Sequence, residues 1–427
     1  MDLAWISVGA LAVTIVISCT TRLNPGILAI VFAWVIAAFI APSLGQSLSL
    51  KTVLAGFPVE LFLTLVGVTF LFAQAQANGT LGWVAHAAVG LCRGNAGLIP
   101  IVFFGLTAGV AFVGAGSIAA SALVAPMAMA AAARTGISAF LMAVMVGHGA
   151  VAGGMSPFAM TGIVANGLMA RMELKNLEWQ TFSHNFLANA LVALAGYFLL
   201  GGWRLFDRSA IVPDELKLRT NLRGLASLPP LDRQHKVTLA AVAALIVAVL
   251  VFGAHVGLTA FVAAAVLSAS RMAEEKAVFQ MMPWPVIMMV CGVTLLTSLL
   301  ERTGGMDRIS DVMAQVATPS TAPGVAAFAT GIVSVYSSTS GVVLPAFLPM
   351  VPKLVDKLGG GDPLAIASSI TVGGNLVDVS PLSTIGALCI ACAGAQEDRR
   401  VLFNMVLAWG LSMSLVGAVL CTLFFGL

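Results

Sequence analysis

The sequence predicts an all-α polytopic membrane protein made of two inverted-topology repeats. Each repeat is expected to hold three helices, a re-entrant hairpin, a broken helix and a final helix. Three observations carry this expectation. Hydrophobic residues make up 59% of the 427 residues and charged ones 9%, against about 25% charged in soluble domains. The charges fall between apolar runs of membrane-spanning length. The same succession of apolar runs, charge-free stretches and polar interruptions then occurs twice at a nearly constant spacing.

Apolar segments near 3–20, 24–42 and 58–76 are the first three predicted crossings. The first has no positively charged start and no A-x-A cleavage site, so it reads as a retained helix rather than a signal peptide. A charge-free run follows from Asn95 to Ala133, with Gly114-Ala115-Gly116-Ser117-Ile118-Ala119-Ala120-Ser121 near its centre. Small and hydroxyl residues at that place suit a re-entrant hairpin over about 98–133, whose exposed backbone is tolerated only where it lines a cavity. Close helix packing through small residues is the competing reading, and two full crossings keep the same parity. The next segment, about 138–170, is interrupted at Ser156-Pro157, because proline lacks an amide donor and disfavours helix at the residue before it. A final helix over about 185–202 completes repeat 1 (1–202), and His184, Asn185 and Asn189 at its start read as capping groups.

Residues 203–236 contain Arg204, Arg208, Lys217, Arg219, Arg223, Arg233 and Lys236 with three prolines, and read as a cytoplasmic linker. Repeat 2 (237–427) has segments near 237–253, 255–270 and 284–300. A charge-free run from Val312 to Pro352 carries a hairpin expected over about 322–352, with Ser337-Ser338-Thr339-Ser340 at its centre. A broken segment over about 363–395 and a helix over about 401–425 follow. Pro58 with Leu65–Thr69 answers Pro283 with Val290–Thr294 at an offset of 225, and Ser156-Pro157 answers Ser380-Pro381 at 224. A constant offset over separate landmarks marks an internal duplication.

Five crossings per half, if each hairpin enters and leaves on one side, require the second half to be inverted. Placing the linker inside puts Arg22, Arg93, Arg134, the seven linker residues, Arg271, Lys276, Arg399 and Arg400 in the cytoplasm. Lys51, Arg171, Lys175, Arg302, Arg308, Lys353 and Lys357 are then outside, a division of fourteen to seven. Charge bias therefore predicts an inner-membrane protein with both termini outward. A net charge of +3 scattered over loops gives no nucleic-acid footprint.

The most polar island is Ile370–Leu388, with Asn375, Asp378, Ser380, Pro381, Ser383 and Thr384 after Gly373-Gly374. A carboxylate inside a membrane segment costs about 2.5–3.5 kcal/mol on insertion scales and usually has a task. Asp378 is a candidate for a coupling proton or cation, with a structural helix-end aspartate as the alternative. Half-helices restarting after Ser156 and Ser380 would present free N–H groups and partial positive charge, an anion site that needs no arginine. Carbonyls and the Asn375 amide suit Na⁺. His148 is a candidate proton site or a packed structural histidine. Cys389 and Cys392 form a CxxC, but inside an apolar helix they read as packing residues. The sequence has no HExxH, G-x-S-x-G, Walker lysine or dinucleotide fingerprint, which disfavours an enzyme and implies no cofactor beyond a coupling Na⁺ or H⁺.

These two hairpin-plus-break units, with the LNPGILAIVFAWVIAAFIAP stretch near the start, resemble the MatC-type dicarboxylate (malonate) carriers within the divalent anion:sodium symporter or ion-transporter superfamily. The resemblance covers nearly the whole chain. It implies a homodimer with a scaffold and an elevator-type transport domain, and a Ser-Asn-Thr motif at each hairpin tip. Here the tips fall on Gly116-Ser117-Ile118 and Ser338-Thr339-Ser340, and neither has the asparagine. By this resemblance the function is import of a small, malonate-like dicarboxylate coupled to Na⁺ or H⁺. Ser117, Ser156, Pro157, Ser338, Thr339, Ser340, Ser380, Pro381, Ser383 and Thr384 are the expected substrate-binding positions. Gly116, Ser121, Asn375, Asp378 and His148 are expected in cation coupling, with Na⁺ near Gly116, Ser117, Thr339 and Asn375. Another anion, antiport, a passive channel and an intramembrane hydrolase are the rival readings.

Overall fold

A computed structural model describes residues 2–21, 23–46, 48–89, 96–206, 231–394 and 396–426. Arg22, Arg93 and most of the expected linker lie outside the described residues. What is described is helical, with no strand among the described residues.

In the first half, α1 (Leu3–Thr20), α2 (Pro25–Val35, continuing through a widened π turn to Ser43) and a short α3 (Leu50–Leu54) lead to α4 (Val59–Ala77). Asp2 and Asn24 cap α1 and α2 by accepting backbone N–H groups, and Pro25 fills the first turn of α2, where its missing donor costs nothing. Helix α5 (Thr80–Val89) follows. The arms α6 (Leu98–Val110) and α7 (Gly116–Thr135) run against each other, and the chain reverses between them at Gly114 (φ 119°) and Gly116 (φ 80°). A side chain at either glycine would be strained by those dihedrals. Then come α8 (Ala139–Gly154), α9 (Met160–Arg171) and α10 (Glu178–Leu199).

The second half holds α11 (Arg233–Phe252), α12 (Val256–Ala269), a short α13 (Glu275–Met281), α14 (Trp284–Thr303) and α15 (Gly305–Val316). The arm α16 (Ala322–Tyr336) returns through short turns over Thr339–Met350 into α17 (Val351–Leu358). The chain closes with α18 (Pro363–Val377), α19 (Thr384–Ala391) and α20 (Arg399–Phe425). Helices α4 and α14 begin at Val59 and Trp284, and α5 and α15 at Thr80 and Gly305, each pair 225 residues apart. The helices α5 and α15 between the third helix and the hairpin were not expected from the sequence.

Packing divides the helices into two groups. The arms α6, α7 and α16 pack with α8, α10, α18 and α20, while α4 packs on α12, α2 on α14, and α1 on α15. Contact between α8 and α6 is close because Gly149 and Gly153 lie on the backbone of Phe104 and Ala108, where a Cβ would collide. Glycine fits here because small residues let helix backbones approach where the hydrophobic effect between helices is absent. Large apolar side chains such as Leu199, Phe252 and Leu415 point outward. Several continuous stretches, among them Pro25–Ser43, Trp284–Thr303 and Arg399–Phe425, are long and apolar enough to cross a membrane. The chain is a multi-pass membrane protein. One capping expectation is corrected: α10 begins at Glu178, so Asn185 and Asn189 lie in its interior and cap nothing.

Candidate functional site

A cavity of about 530 Å³ lies where both hairpin tips meet both interrupted helices. It is lined by Gly114–Ile118 and Tyr336–Ser340 from the two tips and by Asp378, Leu382–Ile385 and Met160-Thr161 from the two breaks. Thr21, Asn24, Thr69, Gln76, Met281 and Pro283 line it as well. Among the described lining residues Asp378 is the one charged side chain, and there is no lysine or arginine.

Asp378 caps the C-terminal end of α18. Thr339 Oγ1 donates to its Oδ1 at 2.8 Å, and Ser334 Oγ lies 3.4 Å from the same oxygen. Thr339 Oγ1 also lies 3.2 Å from the Gly374 carbonyl and contacts Ser334 Oγ. Four oxygens therefore converge behind the second tip. A hydroxyl has a single proton to give, so Thr339 serves one acceptor at a time and the remaining lone pairs face one another. That arrangement is suited to a small cation or a proton. Ser338 supports the tip by accepting the Gly341 N–H at 3.1 Å. Among the described residues no group of three His, Cys, Asp or Glu side chains is placed to hold a metal.

Each break spans five or six residues rather than a point. Helix α8 stops at Gly154 and α9 restarts at Met160; α18 stops at Val377 and α19 restarts at Thr384. Ser156 and Ser380 do the same local work, each accepting the N–H two residues on, from Phe158 and Leu382, at 3.3 Å. Ser156 Oγ also donates to the Phe112 carbonyl at 2.5 Å. Ser383 folds back, its one hydroxyl proton shared between the Asp378 and Ser380 carbonyls, and its Oγ accepts the Gly386 N–H at the start of α19.

Of the residues singled out from the sequence, Gly116, Ser117, Ser338, Thr339, Ser340, Asp378, Ser383 and Thr384 line the cavity. Ser156, Pro157, Ser380, Pro381, Ser121, Asn375 and His148 are not among its lining residues. Ser156 and Ser380 are wholly buried turn formers, because each break needs several residues before helix resumes at Met160 and Thr384. Asn375 turns its amide to Asn185 Oδ1 at 3.0 Å, away from the cavity. Ser121 Oγ is buried without a hydrogen-bond partner. His148 is buried between Asn189 and Trp409. Sequence reasoning missed Ser334, which backs Thr339, and Asn24 and Gln76 among the lining residues. Ser334 lies five residues before Thr339 in the same hydroxyl-rich tip, a signal that could have found it.

Comparison with known proteins places both halves among transporters. Residues 1–154 match the family model for the dicarboxylate carrier protein MatC N-terminus, and residues 250–427 match the citrate transporter model. No curated protein matches the chain. Among solved structures, Neisseria gonorrhoeae MtrF, described as illuminating a class of antimetabolite efflux pumps, aligns over 98% of this chain and 95% of its own, with a TM-score of 0.54 at 13% identity. The Alcanivorax borkumensis YdaH transporter, described as having an unusual topology, aligns over 99% and 97%, with a TM-score of 0.49 at 12% identity. The likeness to MtrF bears on fold. The resemblance to MatC-type carriers holds over residues 1–154, and both family models that match the chain describe membrane transporters.

Proposed function

We propose that the protein is a secondary active importer of a small dicarboxylate of malonate size, coupled to Na⁺ or H⁺. The observation that carries this is the cavity itself, where two hairpin tips and two restarting helices converge on one carboxylate. The starts of α9 and α19 border the cavity through Met160, Thr161, Thr384 and Ile385 and bring the partial positive charge of a helix N-terminus, with the Gly386 N–H of α19 already held by Ser383. Ser117, Ser338, Ser340 and Thr384 supply hydroxyls from the same walls. Together these recognise carboxylate oxygens without a basic side chain among the described lining residues.

Asp378 gives the reason for coupling. An ionised carboxylate about 5 Å from a dianion costs about 3 kcal/mol per unit of substrate charge at an effective dielectric of about 20. Substrate occupancy therefore requires a proton or cation at Asp378, and the oxygens of Thr339, Ser334 and Gly374 complete a seat for it. Each net charge moved across the membrane is worth about 2.3 kcal/mol per 100 mV. A dianion thus needs three cations before the potential favours its entry.

The topology in this reading is two inverted repeats with both termini outward and hairpins that are re-entrant. The meeting of each tip with a helix break supports the re-entrant form, since the breaks interrupt the middle of spanning units. In that orientation the lining residues Thr21, Gln76 and Met281 lie at the cytoplasmic ends of their segments. The arms with the broken helices form the moving body of an elevator, and α1, α2, α4, α12 and α14 form the scaffold of a homodimer.

Uptake of radiolabelled malonate into proteoliposomes, with Na⁺ and pH varied separately and succinate and citrate as competitors, tests this. Accumulation above the external concentration under one ion gradient is the expected result. Flux that never exceeds equilibrium would indicate a channel. Inertness of all three acids under both gradients sinks the proposal.

A further inference from the structure

Transport as proposed leaves a set of buried polar side chains without a task. His148 on α8, Asn185 and Asn189 on α10, and Asn375 on α18 are at most 1% exposed and do not line the cavity. Apolar residues would fill the same space without the desolvation cost of polar atoms. These four are instead joined, with Trp409 of α20, into one hydrogen-bond chain.

The chain has a single direction. Trp409 Nε1 donates to His148 Nε2 at 2.9 Å. An indole N–H can only donate, so Nε2 must hold a lone pair and the ring proton sits on Nδ1. Nδ1 then donates to Asn189 Oδ1 at 2.9 Å, which fixes the Asn189 amide orientation. The Asn189 NH₂ donates to the Asn185 carbonyl at 3.0 Å and to Asn185 Oδ1 at 3.2 Å. The Asn375 NH₂ donates to that same Oδ1 at 3.0 Å. The Asn185 NH₂ returns to the Val151 carbonyl in the last turn of α8 at 3.1 Å.

From Trp409 the chain runs to two helix breaks, through Val151 and through Asn375. Val151 precedes the interruption after Gly154, and the Asn375 carbonyl accepts the Asp378 N–H at 3.1 Å. Beside His148, Gly147 lies against Val379, where a Cβ would sit 2.7 Å from Cγ1. The polar groups facing His148 are Asn189 from α10 and Trp409 from α20, and no charged side chain hydrogen-bonds to it among the described residues.

We infer that His148 is a positioning residue: held as the neutral Nδ1–H tautomer, it orders a chain that fixes the ends of both broken helices, and Asp378 with them, against α10. It carries no proton in the transport cycle. Protonation would set an N–H against the Trp409 N–H and break the chain at its first link.

The test uses the intact protein in nanodiscs, with its five histidines labelled with ¹⁵N, and needs no substrate. His148→Asn assigns the His148 resonances by their disappearance. The expected spectrum has a pyridine-type Nε2 and a pyrrole-type Nδ1, unchanged from about pH 5 to about pH 8, the range where free imidazole titrates. Trp409→Phe removes the lock, and His148 should then titrate or populate the other tautomer in that range. Titration of His148 in the wild type, or a Trp409→Phe spectrum identical to wild type, overturns the inference. In uptake assays Asn189→Leu should raise the apparent KM for the transported anion about tenfold, the size of one lost buried hydrogen bond, with a smaller change in maximum rate. An unchanged KM in folded Asn189→Leu protein also overturns it. The histidine spectrum reads the hydrogen-bond chain directly, so it tests the role of His148 whether or not the transported anion is a dicarboxylate.

Discussion

The two hairpin tips approach the two helix ends in the same way and with opposite chemistry. In the second half Thr339 of the tip touches Asp378, which caps α18. In the first half Ser117 of the tip touches Gly154, the last residue of α8, so closely that a Cβ on that glycine would collide with Ser117 Oγ. Asp378 and Gly154 are 224 residues apart, the same spacing as Ser380 and Ser156. One half has placed a carboxylate where the other has removed the side chain. The first tip is correspondingly a backbone device, turning on Gly114 and Gly116 at positive φ, and the second a side-chain device of hydroxyls. The two tips thus share a geometry and differ in chemistry, and under the proposed function the halves would bind cation and substrate unequally.

The largest effect expected from breaking this asymmetry is at Asp378. Asp378→Asn keeps an acceptor for Thr339 and removes the charge. Ion-driven uptake should fall by at least about a hundredfold in maximum rate, while the KM for the anion stays level or falls, because a like charge has left the site. Wild-type rates with wild-type ion and pH dependence would remove Asp378 from the mechanism. Filling the first-half counterpart comes next. Gly154→Ala forces Ser117 aside and should cost about 1–3 kcal/mol of stability, the usual range for overpacking, seen as a lower thermal midpoint in detergent. A third, smaller contrast compares the tips directly. Thr339→Val deletes the hydroxyl on Asp378 and should lower kcat/KM about tenfold, whereas Ser117→Ala should lower it only about two- to threefold. Equal losses would mean that the two halves share the work.

Much of this was legible in the residues, for identifiable reasons. Charge-free runs and proline after serine mark hairpins and breaks because each reflects a backbone constraint, so the arms, the Gly114–Ser117 turn and both interruptions fall where spacing put them. Side-chain direction was not legible. Ser380 and Ser383 look equivalent in sequence and both hydrogen-bond the backbone, yet Ser383 lines the cavity and Ser380 does not. Asn185 and Asn189 looked like caps because the helix start was placed near them. Once α10 begins at Glu178, their spacing of four puts both on one buried face, and only packing reveals that His148 and Asn375 meet them there.

The smallest expected effect lies at the base of the second hairpin, where the halves differ again. Helix α15 carries Asp307, Arg308 and Asp311, while α5 has none of these charges. Lys353 of α17 donates to Asp307 Oδ2 at 2.8 Å, Lys357 pairs with Asp311 and donates to the Asp307 carbonyl at 2.6 Å, and Arg308 reaches Asp2 at 3.2 Å. The Lys353 hydrogen bond holds the Asp307 carboxyl below the usual carboxylate range. A depressed folded-state value adds stability that is present above the unfolded pKa and is lost as pH falls through the folded one. The pairs are partly exposed, so solvent screens them. Lys353→Met should therefore cost less than about 1 kcal/mol at neutral pH. Its deficit against wild type should shrink as pH drops from about 4 downward, where unfolded aspartate protonates, and should shrink likewise in high salt. A deficit that persists through acid and salt would assign Lys353 to packing of α17 on α15 rather than to charge.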